Sequence, residues 1–246
     1  FIYRDGVGDS MRAQVIAHEL EQLTKRPRSL MIAVAADHGE EFDERGSLHH
    51  SHTVHQELVH VPLLIYGPGG RAHGPFRVDE PVGLVDLAPT ILDLAGLAPL
   101  PNVGTGVSLA PLMGADRNGT GANPTLRAPR LIVSQRERHA GGRRLLAARL
   151  GSWKLHVRTP PAEAGAALAP DEELDLMLYR LDLDPSESSD VTADHPEKVR
   201  ELLGALRQWD TRTRDQAARF GSGSSEGPIP AGVDADLRAL GYGGGR

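Results

Sequence analysis

The sequence predicts an α/β protein: a layer of alternating strands and helices, followed by a small antiparallel sheet with one long helix against it. Three observations carry this. Residues 30–36 and 59–66 are short, nearly continuous apolar runs, and the second closes on Gly67-Pro68-Gly69-Gly70. Such runs bounded by turn residues suit core strands, and strands alternating with helical stretches indicate an α/β layer. Residues 131–181 then hold three strand-like pieces, and residues 196–219 switch to a helical period.

The elements follow in chain order. Over residues 9–23, Met11, Val15, Ile16, Leu20 and Leu23 recur at three or four positions, which predicts a helix with one buried face. Residues 30–36, with Ile32 and Val34, read as a strand covered on both faces in a parallel sheet, and Asp37 stands at its end. Asp86 precedes Leu87, Ile91, Leu92 and Leu94, with Pro89 in the first turn and Gly96 beyond the last, so a helix capped by Asp86 is expected. Residues 99–129 are rich in Gly, Pro, Asn and Thr without a period and read as a long surface connection. Beyond it, residues 131–136, 145–150 with 153–157, and 177–181 form the expected antiparallel sheet, with Trp153 and Tyr179 in its core. Pro196 starts a helix whose Val199, Leu202, Leu203, Leu206 and Trp209 share a face. The Gly-, Ser- and Pro-rich residues 221–230 read as a mobile tail. The expected division is 1–125, 126–220 and a tail of 221–246.

Composition excludes several functions. The chain has 246 residues, 39% hydrophobic and 24% charged, enough to bury a core without disulfides. A net charge of -6 offers no field for a phosphate backbone, so no nucleic-acid partner is expected. No apolar run has the length of a membrane span. With no cysteine, disulfides, thiolate metal sites and cysteine nucleophiles are excluded within these residues. The first residue is Phe1, so the chain is expected to continue upstream.

The chemistry gathers at Asp37-His38-Gly39-Glu40-Glu41, followed by His49, His50, His52, His55 and His60. Ligands collect beyond the carboxyl ends of strands in open α/β sheets, so a polar cluster there is placed for reaction. A carboxylate next to an imidazole can ligate a divalent ion if Gly39 lets the chain turn. Oxygen ligands favour calcium or magnesium, and an added imidazole moves the preference toward zinc or manganese. For an isolated Asp-His-Gly the commoner outcome is plainer, a turn cap beside a surface ring.

The whole string over residues 35–69, AADHGEEFDERGSLHHSHTVHQELVHVPLLIYGPG, resembles the sulfatase family of the alkaline phosphatase superfamily. That family shows a strand ending in S/A-D-H-G-E, a loop reading like F-H-G-H, an aromatic-Glu pair and a V-P-L-I-V strand ending in G-P-G. The resemblance continues through Val85-Asp86-Leu87-Ala88-Pro89-Thr90, Gly106-Val107-Ser108-Leu109, Gly151-Ser152-Trp153-Lys154-Leu155, Leu178-Tyr179-Arg180-Leu181-Asp182 and Asp184-Pro185-Ser186-Glu187. Four positions depart from the pattern: Arg45 and His55 stand for a usual His and Tyr, His49 for an aromatic residue and Ser51 for a glycine.

The resemblance implies the C-terminal part of an alkaline-phosphatase-like sandwich, with a small C-terminal subdomain of antiparallel sheet plus helix. It implies that Asp37 and His38 ligate one divalent metal, calcium by family preference, with manganese or zinc as alternatives. It places His50, and less strongly His52, where relatives contact the sulfate and protonate the leaving group. The family nucleophile is a formylglycine made from C/S-x-P-S-R. No such string occurs here, so the nucleophile is expected upstream and this polypeptide alone is expected to be inactive. The implied reaction is metal-dependent hydrolysis of a sulfate ester, on a small molecule or a glycan, in a periplasmic or secreted enzyme. Phosphate or phosphonate ester hydrolysis, phospho-group transfer, and a non-catalytic binding or assembly role are the alternatives.

Overall fold

The computed structural model describes residues 31–46, 48–50, 52–66, 77–99, 104–113, 129–136, 142–162 and 166–220. The helix expected over residues 9–23, the turn at 67–70, Ser51 and the tail beyond 220 lie outside them.

Strand β1 (Ile32–Ala35) leads to the Asp37-His38 turn. It pairs antiparallel with β4 (Leu63–Tyr66), Ile32 opposite Tyr66 and Ala35 opposite Leu63. This corrects the expected parallel strand covered on both faces. Ile32 and Val34 are half-buried while Ala33 and Ala35 are exposed, so the strand has one covered face. An alanine on the open face costs little, which is why a continuous apolar run conceals a two-faced strand. Between the two strands lie a hairpin, β2 (Glu41–Phe42) with β3 (Leu48–His49), and the one-turn helix α1 (Gln56–Val59).

A 3-10 turn at Leu84–Asp86 runs straight into α2 (Leu87–Leu94). Asp86 is not the expected helix cap. Its backbone is already helical (φ -81°, ψ -15°), not the extended form from which a cap side chain reaches back, and it makes no side-chain capping bond to α2. Its buried carboxylate instead accepts from the N–H of Gly83 at 2.8 Å and of Val107 at 2.9 Å, and pairs with Arg130. Thr90 adds a second tie, accepting from the Leu109 N–H at 2.8 Å. Residues 104–113 are therefore packed rather than a loose connection: Leu109 and Leu112 are buried, and Ala110–Met113 forms the short helix α3.

The second layer follows the sequence closely. Strands β5 (Ile132–Arg136), β6 (Arg143–Leu150), β7 (Trp153–Pro161) and β8 (Asp175–Arg180) form one antiparallel sheet in chain order. Gly151 and Ser152 make a two-residue turn that sets Leu150 opposite Trp153. Gly151 has φ +59°, the left-handed geometry that matches hairpin twist. Helix α4 (Pro196–Phe220) lays Val199, Leu202, Leu203 and Leu206 on Leu146, Ala148, Leu155, Val157 and Leu178. Each leucine so buried contributes about 1.5–3 kcal/mol. Tyr179 is buried and Trp153 packs at the margin of this core, beneath the Arg180 guanidinium. No helix among the described residues is long and apolar enough to cross a membrane.

Candidate functional site

The turn after β1 displays Asp37 and His38 together. His38 N–H donates to Asp37 Oδ1 at 3.0 Å, and its ring Nδ1 lies 2.7 Å from the Gly39 carbonyl. A carbonyl only accepts, so Nδ1 carries a proton, which in the neutral ring leaves the lone pair on Nε2, the tautomer of a metal-ligating imidazole. Nε2 is 3.8 Å from Asp37 Oδ2. Two donors of one ion, each about 2.0–2.6 Å from it, span such a separation. The Asp37 side chain is 76% exposed, so its carboxylate meets no burial cost. The donor chemistry fits a divalent cation, but two donors are only part of a shell. Among the described residues no group of three or more His, Asp or Glu is arranged to hold a metal.

Gly39 makes this placement possible. Its N–H donates to Leu58 O at 2.8 Å, and a Cβ at this position would lie 1.9 Å from Glu57 O. Only glycine lets the turn rest on α1.

His50 arrives from the end of the β2–β3 hairpin, with its ring stacked on His38, centroids 4.1 Å apart. Its Nδ1 is 3.4 Å from Glu40 Oε1. His52 stands differently. Its Nε2 donates to Glu41 Oε2 at 2.7 Å and its Nδ1 faces the His50 carbonyl at 3.1 Å, so both nitrogens face acceptors. Glu41 is fully buried and also accepts from Thr53 Oγ1 at 2.5 Å. The structure thus brings Asp37, His38 and His50 together and sets His52 as a strut to Glu41.

Sequence reasoning missed the group beneath. Lys154, His156 and Glu187 are all buried. Glu187 Oε1 receives Lys154 Nζ at 2.8 Å and His156 Nε2 at 2.7 Å, while Oε2 accepts from the Gln56 N–H at 2.6 Å. Burial alone would raise the Glu187 carboxyl, but the His156 hydrogen bond and the Lys154 ammonium outweigh it and hold it at about 2. Burial lowers Lys154 to about 8 against the pull of Glu187. His55 is packed on His156 with centroids 4.5 Å apart, and burial, then His156 and Arg45, lower it to about 3. The available signal was β7 itself, where Lys154 and His156 interrupt a run buried on both faces.

With this geometry in place, likeness to known proteins becomes informative. The Sulfatase family model matches residues 13–97, the span holding the Asp37-His38 turn, the hairpin and α2. Arylsulfatase K of Mus musculus is 31% identical over 201 residues, covering 81% of this chain and 33% of that protein. Residues 13–97 belong to the sulfatase family. The chain spans about a third of the length of the curated relatives it matches. Among solved structures, a 2-O GAG sulfatase superposes with a TM-score of 0.64 at 21% identity, covering 85% of this chain and 42% of the other. The phosphonate monoester hydrolase of Agrobacterium radiobacter superposes with a TM-score of 0.56 at 18% identity, covering 84% and 39%. At these identities the superpositions establish a shared mixed α/β fold.

Proposed function

We propose that this chain supplies one wall of a metal-dependent sulfate-ester hydrolase site, as the C-terminal part of the enzyme. The observation that carries the reading is the stack of His38 on His50 beside the exposed Asp37 carboxylate, with His38 in the ligating tautomer. Asp37 Oδ and His38 Nε2 would hold the cation, calcium by family preference, and the ion would supply positive charge against the transferring sulfuryl oxygens. His50 Nε2 hydrogen-bonds the ester and protonates the departing alcohol oxygen, while Glu40 orients the ring through Nδ1. His52 acts through Glu41, keeping the hairpin closed under His50. The nucleophile belongs to a segment outside these residues, so this polypeptide alone does not turn over. The 2-O GAG sulfatase favours a sulfated glycan as substrate. The chain divides near residue 125, with the site on the first part.

The phosphonate monoester hydrolase favours a second reading, the same site acting on a phosphonate or phosphate ester. Both groups are tetrahedral anions with charge on equatorial oxygens. The test uses the protein encoded by the whole reading frame, assayed for metal content and for turnover of aryl sulfate and aryl phosphonate. Asp37→Ala and His38→Ala are expected to lose the metal, and His50→Ala to keep it while turnover falls about 10²–10⁴-fold. Full metal content and turnover in the first two variants would sink the assignment. Preferential cleavage of the phosphonate would select the second reading.

A further inference from the structure

We infer that Glu187 is a positioning residue that latches the site loop, residues 41–58, onto the four-stranded sheet; the inference rests on the reading of that loop as part of a hydrolase site. Three observations converge on Glu187. Its carboxylate is fully buried and divided between two elements, Oε1 receiving Lys154 and His156 of β7 and Oε2 the backbone N–H of Gln56, the first residue of α1. Lys154 Nζ also reaches Gln56 Oε1 at 3.2 Å, closing the bridge from the sheet side.

The second observation is the turn that presents it. Glu187 has φ +52°, a left-handed backbone uncommon for a residue with a long side chain. Asp184 holds that turn by accepting from the N–H groups of Ser188 and Ser189 at 2.8 and 2.9 Å and from the hydroxyls of Ser186 and Ser188. Backbone held in such a region by a surrounding network points to a role for the side chain it presents.

The third is a second strap from the loop. Arg45, at the tip of the hairpin, donates to the carbonyls of Ser186 at 2.5 Å and Glu187 at 3.2 Å and pairs with Glu57 at 3.0 Å. Glu57 and Leu58 are the residues on which Gly39 rests, next to Asp37 and His38. One carboxylate and one guanidinium therefore fix α1 and the hairpin, and through them the turn that displays the metal ligands and the strand end that carries His50.

The decisive comparison is between two double variants of the protein encoded by the whole reading frame, Lys154→Met/Glu187→Leu and Lys154→Met/Glu187→Gln. Neither leaves a buried ammonium unpaired, and they differ in whether position 187 keeps an oxygen for the Gln56 N–H. Amide hydrogen exchange over residues 41–58 is expected to be about tenfold or more faster in the Leu form, with β6 and β7 as protected as in the parent. The Gln form is expected to retain most of the loop's protection. On an aryl sulfate, kcat of the Leu form is expected to fall more than tenfold below that of the Gln form with KM within about threefold. Equal loop exchange in the two variants overturns the latch. So does loss of protection throughout β6 and β7 in either, which makes the network a requirement of the sheet rather than of the loop. A parent protein that turns over neither aryl sulfate nor aryl phosphonate overturns the hydrolase reading instead, and the exchange comparison still decides the latch.

Discussion

At Gly39 the chemistry of the site and the packing beneath it meet in one residue. The sequence marked it as the flexible point that lets Asp37 and His38 converge, and this accounts for only part of its role. The backbone of α1 leaves no room for a Cβ, with Glu57 O at 1.9 Å. Overpacking against side chains costs about 1–3 kcal/mol, and a carbonyl has less freedom to move than a side chain. Gly39→Ala is accordingly expected to lower stability by at least that amount in urea denaturation and to displace the Asp37-His38 turn. An unchanged midpoint would show that α1 is not a fixed support. Asp37, His38 and His50 were each legible as candidates, because their residue types limit the chemistry they do. The commitment of both His52 nitrogens was not, since Glu41 is 11 positions away and reaches it only across the hairpin.

Among the elements, α4 was the most legible and α1 the least. A face of Val199, Leu202, Leu203 and Leu206 repeats at helical spacing and depends on no partner for its recognition. One turn of helix at Gln56–Val59 has no period to detect, and the carboxylate that meets its first N–H, Glu187, is 131 positions away. The core under α4 gives a prediction with an internal control. Leu206 is fully buried and Leu183 is 73% exposed. Leu206→Ala is expected to cost about 2–5 kcal/mol in denaturant titration, and Leu183→Ala to remain within about 0.5 kcal/mol of the parent. Similar losses in both would contradict the placement of α4 on the sheet.

Across the molecule, the buried cluster joining the site loop to the sheet sets the response to acid. The folded state holds His55 at about 3 against an ordinary 6.5, so between those values the unfolded chain binds a proton that the folded chain does not. Stability then decreases as pH falls through that window. Glu187, held at about 2 against an ordinary 4.5, contributes fully above 4.5 and loses that contribution as pH falls toward 2. Both contributions have the same sign, and His156, also lowered chiefly by burial, adds to them. Circular dichroism melts are expected to show the melting temperature falling from pH 6.5 downward. His55→Tyr, which places the residue usual in the family at this position, is expected to flatten the fall between pH 6.5 and 4.5. A parent whose melting temperature is constant over that interval would contradict a buried neutral His55.

By itself the sequence determined the family resemblance, the three strand-bearing pieces and long helix of the second layer, and the turn at Asp37-His38. These depend on local periodicity and on short ordered strings, which are complete within a few residues. Tertiary structure decided the rest. The antiparallel pairing of β1 with β4, the turn of Asp86 away from its helix toward Val107, and the union of Lys154, His156 and Glu187 with Gln56 each join residues from about twenty to more than a hundred positions apart. A buried charge has no sequence signature of its partner, because what selects the partner is the energy of desolvation once the chain has closed around both.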